Sequence, residues 1–74
     1  MSAGKPAMER LVWICQRLRD GRPLNNSTIA AHFEVSVKTV QRDMDFLRDR
    51  LLYQLEYVHE RRSWILIKAP DPVL

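Results

Sequence analysis

The stretch Asn25-Asn26-Ser27-Thr28-Ile29-Ala30-Ala31-His32-Phe33-Glu34-Val35-Ser36-Val37-Lys38-Thr39-Val40-Gln41-Arg42-Asp43-Met44-Asp45-Phe46-Leu47-Arg48-Asp49-Arg50-Leu51 holds two helix starts and one tight joint, and that combination decides the fold. Asn25 or Asn26 offers a side-chain oxygen to the unpaired N–H groups of a first helical turn. Ile29, Ala30 and Phe33 follow at helical spacing, so a short helix is expected to bury them. It stops at Glu34-Val35-Ser36. Ser36 is a second cap, opening a longer helix over 36–50 with Val40, Met44, Leu47 and Leu51 on one face. Two helices joined so tightly, with apolar Val35 between them, make a helix-turn-helix arrangement. One position of such a turn favours a left-handed backbone. Glu34 falls there, at a cost of about 1–2 kcal/mol for a residue that is not glycine.

Working outward, a first helix is expected from Pro6, well suited to an early helical position, to Gly21, with Arg17 and Arg19 near its negative end. Met8, Leu11, Val12, Cys15 and Leu18 share its apolar face, with Ile14 at the edge. Trp13 points away from that face. It either packs on the hairpin or stands exposed, or it meets a second chain or neighbouring domain. Gly21-Arg22-Pro23-Leu24 reads as a turn and a short extended piece. After the longer helix the period changes: Gln54 to Lys68 is rich in β-branched and aromatic residues around the polar break His59-Glu60-Arg61-Arg62-Ser63, which predicts a β-hairpin. The expected fold is mainly α with a small hairpin, a winged helix-turn-helix of three helices plus a wing. Residues 6–68 form the domain, 1–5 a disordered N-terminus, and 69–74, with two prolines, a linker or tail.

Composition narrows the function. Seventy-four residues make one small domain, 46% hydrophobic, with a formal net charge of +3. No apolar run approaches the about 20 residues of a membrane span, and the start lacks a signal peptide's apolar core, so no membrane partner and a cytoplasmic, nucleoid-associated location are expected. Cys15 is expected to be a buried, inert thiol. His32 and His59 lack cysteines at ligand spacing, so neither a metal site nor another cofactor is expected. The trio Asp43, Asp45 and Asp49 sits among basic residues without a histidine or nucleophile, and the chain has two glycines in all, so neither acid–base chemistry nor a phosphate-cradling loop, and hence no enzyme, is expected. Residues 36–62 carry six basic and five acidic side chains, so charge alone favours an anionic partner only weakly.

The pattern carries more. A helix about 10–12 Å across fits the major groove, and its N-terminal residues meet base edges first. With Val40, Met44 and Leu47 inward, Val37, Lys38, Gln41 and Asp45 face outward. Lys38 suits guanine O6 or N7, Gln41 suits adenine, and Val37 suits a thymine methyl. Ser36, Thr39 and Arg42 suit phosphates, as do Asn26, Ser27 and Thr28 at the start of the preceding helix and Arg61 and Arg62 at the wing. Solvation of Lys38 and Gln41, core packing of Val37, capping by an asparagine and an ordinary solvated turn at Arg61-Arg62 are the plain alternatives. Asp43 is read as a structural acid, paired with a basic side chain or a scaffold N–H.

The run Val35-Ser36-Val37-Lys38-Thr39-Val40-Gln41-Arg42-Asp43-Met44-Asp45-Phe46-Leu47 resembles the recognition helix of bacterial WYL-domain transcriptional regulators, V-S-x-[RK]-T-[IV]-x-R-D-[ILM]-x-x-L. Leu55-Glu56-Tyr57, Glu60-Arg61-Arg62 and the following aromatic–aliphatic strand are similar to that family's wing, so the likeness spans about residues 8–68. Two glycines usual in the family are replaced, by Leu52 after the long helix and by Ser63 in the wing. The resemblance implies a sequence-specific regulator of transcription binding double-stranded DNA, commonly as a homodimer, with repression the favoured mode and activation left open. It also implies a C-terminal WYL sensor domain in full-length relatives, which the 74 residues do not include. The competing expectation is a winged helix serving as a protein–protein interaction module without DNA binding.

Overall fold

The computed structural model describes residues 6–70. The expected disordered segment 1–5 and residues 71–74 of the expected tail lie outside the described residues. Three helices come first, α1 (Ala7–Arg19), α2 (Asn26–Phe33) and α3 (Val37–Asp49), followed by an antiparallel hairpin of β1 (Gln54–Val58) and β2 (Ser63–Lys68). This is the predicted architecture.

Local chemistry sets the boundaries. At the end of α1, Gly21 adopts φ 77° while its N–H reaches Leu18 O at 3.0 Å and Arg22 N–H reaches Arg17 O at 3.2 Å, closing the last carbonyls in the way a left-handed glycine allows. Asn25 caps α2 and Ser36 caps α3, both through side-chain oxygens. Between these helices Glu34 takes φ 58° and ψ 43°, the left-handed conformation expected there, and Val35 N–H bonds to Ala30 O at 3.0 Å. Leu24, the extended piece after α1, exchanges two backbone hydrogen bonds with Trp64, of 3.0 and 2.7 Å, and so adds a one-residue third strand to the wing.

The core is built from Ile14 and Leu18 of α1, Ile29, Ala30 and Phe33 of α2, Val40, Met44 and Leu47 of α3, and Leu24, Tyr53 and Trp64. The α1 contribution differs from expectation. Ile14 is fully buried, not at the edge, whereas Met8 is 71% and Val12 49% exposed. The reason is Arg10. It sits on the buried line Arg10-Ile14-Leu18 and clasps Asp43 with two hydrogen bonds, Nε to Oδ2 at 2.7 Å and Nη2 to Oδ1 at 3.2 Å. Both residues are buried, and hydrogen bonding to the carboxylate raises the Arg10 pKa above its ordinary value. Asp43 is therefore the structural acid the sequence suggested, with a partner 33 residues away.

Other departures follow from position. Leu51 is exposed because α3 ends at Asp49 and helical spacing no longer governs it. Cys15 is half-buried against the core instead of enclosed. Trp13 neither reaches the wing nor projects freely. It stacks on His32 at 4.6 Å, meets Phe33 edge-on at 5.2 Å and lies under the Arg17 guanidinium at 4.7 Å, joining α1 to α2. In the wing the left-handed residue is Arg62 (φ 51°), one place before Ser63, which is buried and donates its hydroxyl to Arg61 O at 2.9 Å. Leu52 does take a left-handed φ, 61°, where the resembling family has glycine. Ala69 and Pro70 follow β2 without regular structure, Ala69 against the core.

Two stability measurements check this account. Glu34→Gly removes the left-handed penalty and is expected to stabilise the domain by about 1 kcal/mol, raising Tm by about 4–8 °C; an unchanged or lower Tm would show that the joint is not strained. Arg10→Ala strands a buried carboxylate and is expected to cost about 3 kcal/mol, read from denaturant unfolding. A cost below about 1 kcal/mol would place the pair in the class of solvent-screened surface contacts.

Candidate nucleic-acid interface

Asp43 sets the rotation of α3. With its carboxylate turned inward beside Val40, Met44 and Leu47, the adjacent Arg42 is carried to the exposed side, as are Val37 and Lys38 on the first turn. Val37 is 47% exposed, so core packing does not account for it. Ser36 Oγ accepts the Thr39 N–H at 3.1 Å and lies 3.0 Å from Thr39 Oγ1, which fixes both hydroxyls at the exposed helix start. Thr39 and Gln41 are half-buried.

The start of α2 bonds to the wing turn on one side and to Gln41 of α3 on the other. Asn25 Oδ1 accepts from Ser27 N–H at 2.8 Å and Thr28 N–H at 3.2 Å, while its Nδ2 donates to Arg62 O at 2.9 Å. The cap of α2 is thereby stitched to the wing. Of the expected phosphate contacts Ser27 and Thr28, the backbone N–H groups already serve the cap, while the side chains are exposed. Asn26 is more committed than expected. Its Oδ1 accepts from Trp64 Nε1 at 2.9 Å and its Nδ2 donates to Gln41 Oε1 at 3.4 Å. Arg61 and Arg62 are exposed on the turn between β1 and β2.

Charge, nearly balanced in the sequence, is sorted in space. Arg48 binds both Asp45 at 3.0 Å and Asp49 at 3.2 Å, and Arg10 binds Asp43, so all three acids of α3 are paired, two of them sharing one arginine. Lys38, Arg42, Arg61 and Arg62 form no ion pair among the described residues and stay exposed, with Glu60 the acid nearest them in the wing turn. The exposed cations are thus Lys38 and Arg42 near the start of α3 and Arg61 and Arg62 on the wing turn, with exposed Glu34 preceding the α3 cap and the uncharged hydroxyls of Ser27 and Thr28 at the start of α2. Such a surface suits a polyanion whose backbone is contacted by charge and hydroxyls and whose interior is read by a protruding helix end.

Sequence reasoning missed two contributors. Asn25 locks the wing as well as capping α2, and the Trp64 indole, 5% exposed, holds Asn26 from across the fold. Both contacts join residues more than 35 positions apart, and no local pattern announces them. No described helix is long and apolar enough to cross a membrane, and no group of three or more candidate ligands that could hold a metal occurs among the described residues.

Three helices with a left-handed joint between the second and third, completed by an antiparallel hairpin, define a winged helix-turn-helix. The family described as HTH domain matches residues 10–61, from the first turn of α1 to the wing turn. The chain belongs to this helix-turn-helix family, whose fold is a DNA-binding one. No curated protein and no solved structure matches it.

Proposed function

We propose that the chain is the sequence-specific double-stranded DNA-binding domain of a transcriptional regulator, with α3 entering the major groove by its Ser36-capped end. One observation carries this reading: Val37, Lys38 and Arg42 stand exposed at that end while the acids of the same helix are paired elsewhere. Val37, Lys38 and Gln41 read base edges. Ser36, Thr39 and Arg42 hold phosphates of one strand, the Ser27 and Thr28 hydroxyls support them, and Arg61 and Arg62 reach flanking phosphates or the minor groove. The resemblance of residues 35–47 and of the wing to WYL-domain regulators supports a regulator of that kind, working as a homodimer on a pseudo-palindromic site.

A second reading is favoured by a different surface. Met8, Val12, Phe46 and Leu51 are each more than 40% exposed and, with Leu11 and Cys15, line a shallow apolar groove between α1 and the end of α3. A protein–protein module would use such a groove and ignore DNA. A mobility-shift assay at low salt separates the two.

Four unpaired cations at the interface predict that log K for duplex DNA falls against log salt with a slope of about −3 to −4. An affinity that is flat between low and moderate salt contradicts the proposal. Lys38→Ala is expected to relax preference at one base pair, at a cost of about 1–3 kcal/mol, whereas Arg42→Ala weakens all sequences alike and reduces the slope by about one. Identical behaviour of the two variants on selected and random duplexes would overturn these roles.

A further inference from the structure

A chain of hydrogen bonds runs from the wing, through α2, onto the outer face of α3. Trp64 Nε1 donates to Asn26 Oδ1 at 2.9 Å, Asn26 Nδ2 donates to Gln41 Oε1 at 3.4 Å, and Gln41 Nε2 donates to Asp45 Oδ1 at 3.1 Å. Arg48 Nη2 closes it, donating to the same Asp45 oxygen at 3.0 Å. The two ends are chemically one-way. An indole N–H can only donate, and an ionised carboxylate can only accept. Between them lie two amides, each of which could in isolation present its oxygen and nitrogen either way round. Held between a donor-only and an acceptor-only end, neither amide can turn over without setting like against like at two contacts. Trp64 is 5% exposed and anchored by its own backbone bonds to Leu24, so the donor end cannot move to accommodate a reversal.

We propose that Asn26 and Trp64 are positioning residues that set base specificity by fixing which way round the Gln41 amide faces the DNA. This rests on the interface reading above and assigns Asn26 a task other than holding phosphate. Each Gln41 amide atom keeps one bonding position beyond those used in the chain, a second lone pair on Oε1 and a second N–H on Nε2. The amide therefore accepts on the side of α2 and donates on the side of Asp45. Adenine offers N6–H as donor and N7 as acceptor along its major-groove edge. A fixed amide matches adenine on one strand and mismatches it on the other, so the pair that Gln41 meets is read with its polarity. A freely turning amide would accept both orientations.

The test uses the full chain and three variants. Asn26→Asp keeps an acceptor for the Trp64 indole but removes the donor to Gln41. Trp64→Phe keeps an aromatic ring in the core but removes the donor that orients Asn26. Gln41→Ala identifies the base pair concerned on a duplex selected from a random pool. At that pair the wild type is expected to prefer one of the four base pairs by about tenfold or more. Asn26→Asp and Trp64→Phe should each reduce that preference to less than about threefold and leave the pair assigned to Lys38 unchanged. Uniform weakening on all four duplexes, or an intact preference, overturns the proposal. A second arm needs no DNA: the side-chain amide of Gln41, followed by NMR relaxation, should be restrained in the wild type and released in Asn26→Asp. If it is equally mobile in both, the positioning role is refuted even though the interface stands. If the wild type ignores duplex DNA, the interface reading falls, and restraint of the amide still decides the positioning claim.

Discussion

Everything the molecule presents to its surroundings is indexed to one buried contact, the double hydrogen bond between Arg10 and Asp43. It ties the first helix to the third across 33 residues of sequence and is the only charged pair enclosed among the described residues. A guanidinium and a carboxylate out of water hold their geometry because partial separation would leave both poorly solvated. The consequence travels along α3. If Asp43 faces inward, Arg42 must face out and Lys38, a full turn earlier, must share its side. The same contact turns α1, drawing Arg10, Ile14 and Leu18 inward and leaving Met8 and Val12 outside.

The wing is fastened to this frame by Trp64 in the core, by Leu55, Tyr57 and Leu66 packed against it, and by a set of polar contacts. The backbone exchange of Leu24 with Trp64, the Asn25 amide on Arg62 and the Trp64 indole on Asn26 converge where the start of α2 meets the hairpin. With a core this small, apolar burial alone is a thin source of rigidity. Directional bonds add what burial cannot, a defined angle between wing and helix start. Cap, wing and α3 therefore behave as one surface.

How far the sequence reached depended on the range of each interaction. The cap at Ser36, the inward Val40, Met44 and Leu47 of α3 and the left-handed Glu34 are decided within four residues, and local pattern revealed them; it narrowed the α2 cap to Asn25 or Asn26. The rotation of α1 was misjudged because periodicity treats arginine as an outside residue, and the acid that overrides this lies on another helix. Trp13 escaped for the same reason, since its partner ring His32 lies on α2. In the wing Ser63 stands where the resembling family has glycine, yet the left-handed residue is Arg62, because a turn's register depends on how the two strands pair, Val58 opposite Ser63, and not on composition. Of the candidate contacts, Val37, Lys38 and Arg42 follow from α3 alone, whereas the entanglement of Asn26 and Gln41 needed three elements in place.

The outward turn of Met8 and Val12 has a bearing on solution behaviour. With Phe46 and Leu51 they give a weakly cationic molecule a greasy flank. At low ionic strength the excess positive charge keeps copies apart; added electrolyte shortens that repulsion to about 10 Å or less and leaves attraction between apolar surfaces less opposed. The two faces therefore answer salt in opposite senses, one releasing its polyanion as the other grows stickier. Colloidal stability and nucleic-acid affinity are thus coupled through a single arginine that chose the inside of a helix.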